Sequence, residues 1–176
     1  MTHNILVSDP ISEKGLQSLI HHPDFNVDFK SGLTEKELVD IIPNYQGLIV
    51  RSQTQVTESI INHASNLKVI ARAGVGVDNI DIKSATLNGI LVVNAPDGNT
   101  ISATEHSVAM ILAMARNIPQ AYTSLKNKEW NRKAFKGVEL YQKVLGVIGA
   151  GRIGLGVAKR LKRFGMTVLA YDPFLT

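Results

Sequence analysis

The chain lacks cysteine, has few aromatic residues and contains no long apolar run; 6% of its 176 residues are aromatic. The absence of cysteine excludes disulfides, thiolate metal ligands and a cysteine nucleophile. The longest clean apolar run, residues 108–115, is far shorter than the roughly 20 residues that span a bilayer. No basic leader with a cleavage site precedes the first apolar stretch. We therefore expect a cytoplasmic protein without a membrane segment or a metal site.

The formal net charge of +4 is unevenly distributed, because basic residues are concentrated in two windows. One window (126–136) contains a single acidic residue, Glu129, and the other (152–163) contains none. Basic clusters can attract nucleic acid, but no aromatic stacking platform is interleaved with these charges. The clusters are typical of solvated helix faces or of sites for small anions, so we expect no nucleic-acid partner.

Short β-branched runs alternate with helical patterns through the first 95 residues or so, which indicates α/β architecture with a parallel, doubly wound sheet. The run at 47–50 is almost continuously apolar, as in a parallel strand that is buried on both faces. Predicted strands lie at 5–7, 27–29, 47–50, 67–71 and 90–93, and predicted helices at 16–20, 38–42, 57–64 and 82–87.

The pattern changes after residue 98, where we place the domain boundary between residues 1–98 and 99–176. A helix over 103–116 is almost wholly apolar, so it is expected to be buried between domains or against a second subunit. Ser102 and Glu105 have the spacing of a capping box at its start. Residues 117–143 are polar and are predicted to be irregular.

A glycine-rich turn joins a strand (144–148) to a helix, and a second strand (166–171) follows. Gly149 permits a tight turn, Gly151 lets the backbone approach a pyrophosphate, and Gly154 lets the helix pack close to the strand. The N-terminus of that helix offers N–H groups to a phosphate. Asp172, at the end of the second strand, can accept hydrogen bonds from the ribose hydroxyls and would repel a 2′-phosphate. The arrangement predicts dinucleotide binding and favours NAD over NADP.

Several segments together resemble the D-isomer-specific 2-hydroxyacid dehydrogenases, over essentially the whole chain. The branch of the family that oxidises D-3-phosphoglycerate, in the first step of phosphorylated serine biosynthesis, is the most similar. The resemblance implies a flavodoxin-like substrate domain followed by the first βαβ unit of a Rossmann domain that binds NAD. The segments are LIVRS (48–52), RAGVGVDN (72–79), NAP with NT (94–96, 99–100), ARNIPQ (115–120) and GAGRIG (149–154).

The resemblance also implies the substrate ligands. Arg51 and Arg72 would hold an anionic, phosphorylated 2-hydroxy acid, since a guanidinium pairs with carboxylate and phosphate oxygens. The backbone of Gly74, Val75 and Gly76 would present N–H groups to the substrate carboxylate. Val75 would also lie near the cofactor. Some relatives have a hydroxyl residue at this position, whereas this chain has valine, so only a backbone contact with the cofactor is implied.

The resemblance implies further residues that contact the cofactor or reach across a subunit interface. Arg152 and Ile153 would cradle the pyrophosphate through their N–H groups. Arg132 would reach across a dimer interface toward the substrate phosphate, or would simply belong to a solvated basic loop. His106 is interpreted as structural, and turn or cap roles are assigned to Asp9, Asp78 and Glu105.

The catalytic arginine, glutamate and histidine of the family are expected beyond Thr176, so the chain alone is expected to be inactive and to bind NAD weakly. A homo-oligomer, dimeric or tetrameric, is also expected. Two alternatives remain open. One is another dehydrogenase of the same family, acting on glyoxylate, hydroxypyruvate or D-lactate, and the other is a non-catalytic, NAD-sensing corepressor.

Overall fold

The structure is a computed structural model that describes residues 2–174. The chain divides into two compact units, Met1–Gly98 and Asn99–Thr176. Each unit contains its own parallel sheet and its own apolar core.

The first unit is built on a five-stranded sheet in the order β2-β1-β3-β4-β5, with every neighbouring pair parallel. The order reverses between β1 and β3, and ligands of such sheets bind beyond the carboxyl ends of the strands at that reversal. This is the flavodoxin-like strand order, so the predicted fold class is confirmed. The strands are β1 (His3–Val7), β2 (Phe25–Phe29), β3 (Gly47–Val50), β4 (Val69–Arg72) and β5 (Leu91–Asn94).

Four helices connect these strands, and side-chain caps fix where three of them begin. Thr34 caps the second helix in a capping box, and the backbone hydrogen bond from Thr34 lowers the pKa of Glu37. Thr57 and Asp81 cap the third and fourth. The helices are α1 (Gln17–Ile20), α2 (Glu35–Ile41), α3 (Glu58–His63) and α4 (Ile82–Leu87), with 3-10 turns at Glu13–Leu16 and Ile42–Asn44.

The core of this unit lies on both faces of the central strands. Leu6, Leu48 and Ile70 are completely buried in β1, β3 and β4, as expected for parallel strands that are covered by helices. The outer strand β5 differs, because Leu91 is 62% exposed and Val93 is 39% exposed. The central strands of the sheet are therefore buried, whereas the apolar edge strand β5 is exposed.

The second unit consists of three helices and a two-stranded parallel sheet, β6-β7. Its core is formed by Val157, Leu161 and Met166. The helix α5 packs on α7 at a point where Gly156 is required, because a Cβ there would lie 2.6 Å from Thr104 Oγ1. The elements are α5 (Thr100–Ala115), α6 (Ile118–Lys126), β6 (Val144–Ile148), α7 (Arg152–Lys162) and β7 (Thr167–Tyr171).

Two sequence predictions about this unit were wrong. Residues 118–126 form helix α6 rather than an irregular segment, with Asn117 in a left-handed conformation (φ 53°) separating it from α5 and a proline in its first turn. The capping box at Ser102 and Glu105 does not form, because α5 begins earlier, at Thr100. Ser102 instead donates a hydrogen bond to the carbonyl of Asn99.

Helix α5 has one packed face and one exposed face. Val108 and Ile111 pack against the core, whereas Met110 is 58% exposed and Met114 is 74% exposed. That a second subunit covers the exposed face stays a prediction. Among residues 2–174, no helix is both long enough and apolar enough to cross a membrane.

Candidate functional site

The candidate substrate site lies at the carboxyl edge of the first sheet. Arg51 follows β3 directly, Arg72 is the last residue of β4, and Asn94 is the last residue of β5. Because the strands are parallel and in register, these ends meet at one edge, with Val50 opposite Arg72 and Arg72 opposite Asn94. The structure therefore brings both predicted arginines and the loop of residues 74–76 together.

Arg72 is turned back onto this edge and holds the loop. Its side chain is only 12% exposed. Nε donates to the carbonyl of Arg51 (3.0 Å), one Nη donates to the carbonyl of Gly76, and the other lies 3.6 Å from Asp78 Oδ1. A Cβ on Gly74 would lie 3.1 Å from Nη1, and one on Gly76 would lie 2.8 Å from Asp78 Oδ1. A side chain at either glycine would therefore press on the Arg72 guanidinium or on Asp78 and displace them.

The loop of residues 74–76 has its carbonyls satisfied and two of its N–H groups free. The carbonyl of Gly74 accepts from Ala95 N (2.9 Å), that of Val75 accepts from Asn94 Nδ2 (2.6 Å), and that of Gly76 accepts from the guanidinium. Within the described residues, no acceptor pairs with the N–H groups of Val75 and Gly76. The N–H of Gly74 is not available, since it donates to the carbonyl two residues earlier (2.8 Å). These two N–H groups are therefore the donors of this loop that remain available to an anionic ligand.

Arg51 has a fixed backbone and a free side chain. Its N–H donates to Asp9 Oδ2 (2.6 Å), and its carbonyl accepts from both Arg72 Nε and Asn79 Nδ2 (3.2 Å). Its guanidinium is exposed and has no hydrogen-bond or ion-pair partner in the described part of the chain. Asp9, for which a turn or cap role was expected, instead accepts hydrogen bonds from residues 51, 53 and 54, and the contacts of Asn79 and Asp78 were not anticipated from the sequence.

The second unit contains the glycine turn, and the local geometry differs at each of its three glycines. Gly149 has φ +90°, which favours glycine, and a Cβ on Gly154 would overlap the carbonyl oxygen of Gly149. A Cβ on Gly151 would meet nothing within 4 Å, so the backbone there borders open space at the start of α7. A phosphate could approach the N–H groups of the helix at this point.

Asp172 is fixed beside that turn. Oδ2 accepts from Ala150 N (2.8 Å) and Oδ1 from Phe174 N (2.9 Å), which leaves each oxygen a further lone pair. Arg152 is exposed at the first position of α7, and the Ile153 side chain packs toward the core, so it has only its backbone to offer a ligand. Open space at the start of α7 and a fixed carboxylate beside the turn together fit a dinucleotide.

Arg132 and His106 are not among the residues of these two clusters. Arg132 lies between α6 and β6 and lines a small cavity of about 130 Å³ with Trp130. His106 is exposed on α5. Within residues 2–174, no group of three or more histidine, aspartate or glutamate side chains could hold a metal ion.

Comparison with known proteins identifies the family. The model of the D-isomer specific 2-hydroxyacid dehydrogenase catalytic domain matches residues 5–171. The chain belongs to this family. It is 53% identical over 172 residues to the D-3-phosphoglycerate dehydrogenase of Synechocystis sp., which covers 98% of this chain and 31% of that protein. The chain thus spans about a third of the length of the curated relatives that it matches.

Two solved structures superpose closely on the chain. The TT0316 protein from Thermus thermophilus aligns with a TM-score of 0.89 at 30% identity, over 98% of this chain and 57% of that one. A cofactor (NAD+)-bound 3-phosphoglycerate dehydrogenase from Entamoeba histolytica aligns with a TM-score of 0.80 at 30% identity, over 100% of this chain and 56% of that one. Both alignments support the α/β fold class.

Proposed function

We propose that the chain is the N-terminal part of an NAD-dependent D-3-phosphoglycerate dehydrogenase, which oxidises D-3-phosphoglycerate to 3-phosphohydroxypyruvate. The observation that carries this proposal is the anion site at the carboxyl edge of the first sheet. There, two free N–H groups at Val75 and Gly76 lie in a loop held by Arg72, which also binds the carbonyl of Arg51, and the guanidinium of Arg51 is free within the described residues. The identity of 53% to a D-3-phosphoglycerate dehydrogenase supports the choice of substrate.

In this proposal the residues of the first unit recognise the substrate. The N–H groups of Val75 and Gly76 bind its carboxylate, and Arg51 pairs with an anionic group of the same molecule. Two N–H groups of Arg72 already donate to carbonyls and its second Nη lies beside Asp78, so Arg72 contributes mainly by holding the loop and its positive charge in place. Arg132 of a second subunit would reach the substrate phosphate.

The second unit would bind NAD, which when bound accepts the hydride from the hydroxyl carbon of the substrate. Gly149, Gly151 and Gly154 shape the turn, and the N–H groups of Arg152 and Ile153 face the pyrophosphate. Asp172 accepts hydrogen bonds from the ribose hydroxyls. The catalytic arginine, glutamate and histidine belong to the part of the relatives that this chain does not span.

The experiment that tests the proposal has two arms. The chain should bind D-3-phosphoglycerate more tightly than D-lactate or glyoxylate in an NMR titration, with the Val75 and Gly76 amides shifting most. It should reduce no NAD when D-3-phosphoglycerate is added, whereas a protein extended to the length of the relatives should do so. Equal affinity for phosphorylated and plain acids would favour a glyoxylate, hydroxypyruvate or D-lactate dehydrogenase. Turnover by the 176-residue chain would show that the catalytic groups lie within it.

The cellular context is part of the same proposal. A cytoplasmic location agrees with a chain without cysteine and with an enzyme of amino-acid biosynthesis. A homo-oligomer would cover the exposed face of α5 and supply Arg132 across the interface. A corepressor-like role has no structural feature in its favour.

A further inference from the structure

Asp9 and Asn79 contact no ligand in the proposed mechanism, but both bind the backbone of Arg51. Asp9 accepts from its N–H, and Asn79 donates to its carbonyl. We propose that Asp9 and Asn79 are positioning residues, which fix the direction in which the Arg51 guanidinium points toward the substrate anion. The inference rests on the proposed function, because that function makes Arg51 a substrate ligand.

Asp9 collects the donors of the segment that contains Arg51. Its carboxylate is 3% exposed and accepts from the N–H of Arg51 (2.6 Å) and of Gln53 (3.1 Å) through Oδ2. Oδ1 accepts from the N–H of Thr54 (3.0 Å) and from its hydroxyl (2.5 Å). Only a group that accepts at both oxygens satisfies all of these donors, so an amide at this position would direct an NH2 group at some of them.

Asn79 binds the carbonyls of the same segment. Its Nδ2 donates to the carbonyl of Arg51 (3.2 Å) and to that of Thr54 (2.7 Å), and the residue is 5% exposed. Its Oδ1 is buried and has no hydrogen-bond partner among residues 2–174. A buried polar atom without a partner is unfavourable for stability. The two bonds from Nδ2 nevertheless fix the position of the 51–54 segment, at the cost of one unpaired buried oxygen.

The result is a charged side chain that projects from a rigid base. The N–H groups of residues 51, 53 and 54 donate to Asp9, and the carbonyls of residues 51 and 54 accept from Asn79, whereas the Arg51 guanidinium has no partner in the described residues. Fixing the base reduces the ordering that binding requires, which raises affinity without adding a contact to the ligand. The competing explanation is that Asp9 merely joins the ends of β1 and β3. In that case its loss would weaken the fold regardless of what residue 51 is.

A double-mutant cycle separates the two explanations. The dissociation constant of D-3-phosphoglycerate is measured by NMR for the unaltered chain, D9N, R51A and D9N/R51A, and the melting temperature of each is recorded. D40N, which alters an exposed carboxylate that has no hydrogen-bond or ion-pair partner among the described residues, is the matched control. We expect about tenfold weaker binding for R51A and about three- to tenfold weaker binding for D9N. D9N should have no further effect once Arg51 is gone.

Each outcome decides something. Equal loss from D9N in both backgrounds would overturn the positioning role and leave the proposed function intact. An R51A chain that binds as well as the unaltered chain would contradict the role of Arg51 in the proposed function, and the inference would fall with it. If D9N does not fold, T54V and N79A replace it in the double-mutant cycle with R51A. T54V removes a hydroxyl donor to Asp9, and N79A removes the donor to the carbonyls of the segment. T54V should then weaken binding less than N79A, since the N–H of Thr54 still donates to Asp9.

Discussion

Asp172 Oδ2 accepts a hydrogen bond of 2.8 Å from the N–H of Ala150, so the carboxylate that follows β7 is attached to the glycine turn that follows β6. The two strands are hydrogen-bonded neighbours in register, with Ile148 opposite Tyr171. The side chain that would read the ribose and the backbone that would face the pyrophosphate are therefore parts of one hydrogen-bonded unit. Loss of the Asp172 carboxylate should therefore affect both the support of the turn and the choice of cofactor.

The charge of Asp172 should determine the preference for NAD over NADP. D172N keeps an oxygen for the Ala150 N–H but removes the negative charge, so repulsion of a 2′-phosphate disappears. We expect about 10- to 100-fold weaker NAD binding, since hydrogen bonds to a charged group are lost, and little or no remaining discrimination against NADP. Dissociation constants for both cofactors, measured by NMR titration of the chain, test this. An undiminished preference for NAD in D172N would contradict the role of the charge, and D40N is the control.

Gly151 and Gly154 should fail in different ways when they are replaced by alanine. In G154A the new methyl group meets the carbonyl of Gly149, so the free energy of unfolding should fall by about 1–3 kcal/mol and NAD binding should be lost. In G151A nothing lies within 4 Å of the methyl group, so the fold should lose less than about 1 kcal/mol, from a weaker N-cap. NAD affinity should nevertheless fall, because the methyl group occupies the space of the pyrophosphate.

Urea denaturation and NAD titration of the two glycine variants provide the measurement. Loss of affinity in G151A without loss of stability would place the cofactor at the open side of the turn. A G151A chain that binds NAD normally would show that the pyrophosphate lies elsewhere.

Much of the fold could be predicted from local pattern, because helix caps and strand periodicity are local. The bounds of α4 and β6 agree with the prediction residue for residue. Helix α6 was missed because its polar composition outweighed two usable signals, a proline in the first turn and apolar residues at 118, 122 and 125. The role of Asn79 could not be predicted, since it depends on contacts made only when distant segments come together: the bond from Asn79 to Arg51, for example, spans 28 positions of sequence. The contact of Asp78 depends on how the loop after β4 folds back onto Arg72.

Arg72 should contribute much more than Asp78 to the stability of the fold and to the binding of D-3-phosphoglycerate. In R72K the single ammonium group cannot serve the carbonyls of Arg51 and Gly76 together, so stability should fall by about 1–3 kcal/mol and binding of D-3-phosphoglycerate should weaken. D78N breaks an ion pair whose acidic side chain is 85% exposed, and such pairs contribute less than about 1 kcal/mol. Melting temperatures and NMR titrations of both variants check this. Equal losses in R72K and D78N would show that the ion pair, rather than the carbonyl contacts, holds the loop.

Acid should weaken the start of α4 through Asp81. The backbone hydrogen bond from Ser84 lowers the pKa of the Asp81 carboxyl below its ordinary value. A depressed pKa in the folded state means that the stabilisation is fully present above the pKa of the unfolded chain, about 3.9 for an aspartate. It is lost as the pH falls from there through the lower folded value. Asparagine caps helices equally well without titrating, so D81N should show a shallower decline of melting temperature below about pH 4 than the unaltered chain. D40N should decline as the unaltered chain does, and an identical acid profile for D81N would contradict the assignment.

The second unit should drive self-association of the isolated chain. Met110 and Met114 of α5 are exposed, with Pro119 of α6 beside them, and they line an open apolar groove of about 370 Å³. Both strands of the β6-β7 sheet also have an unpaired edge within the described residues. Exposed apolar patches and open edges are typical contact surfaces between chains. Sedimentation velocity at increasing concentration should therefore show a growing share of dimer or larger species. M110E/M114E should shift the population toward monomer, whereas L87E, at a 77% exposed leucine of the first unit, should not. A single monomeric species at every concentration would show that these surfaces do not associate without a partner.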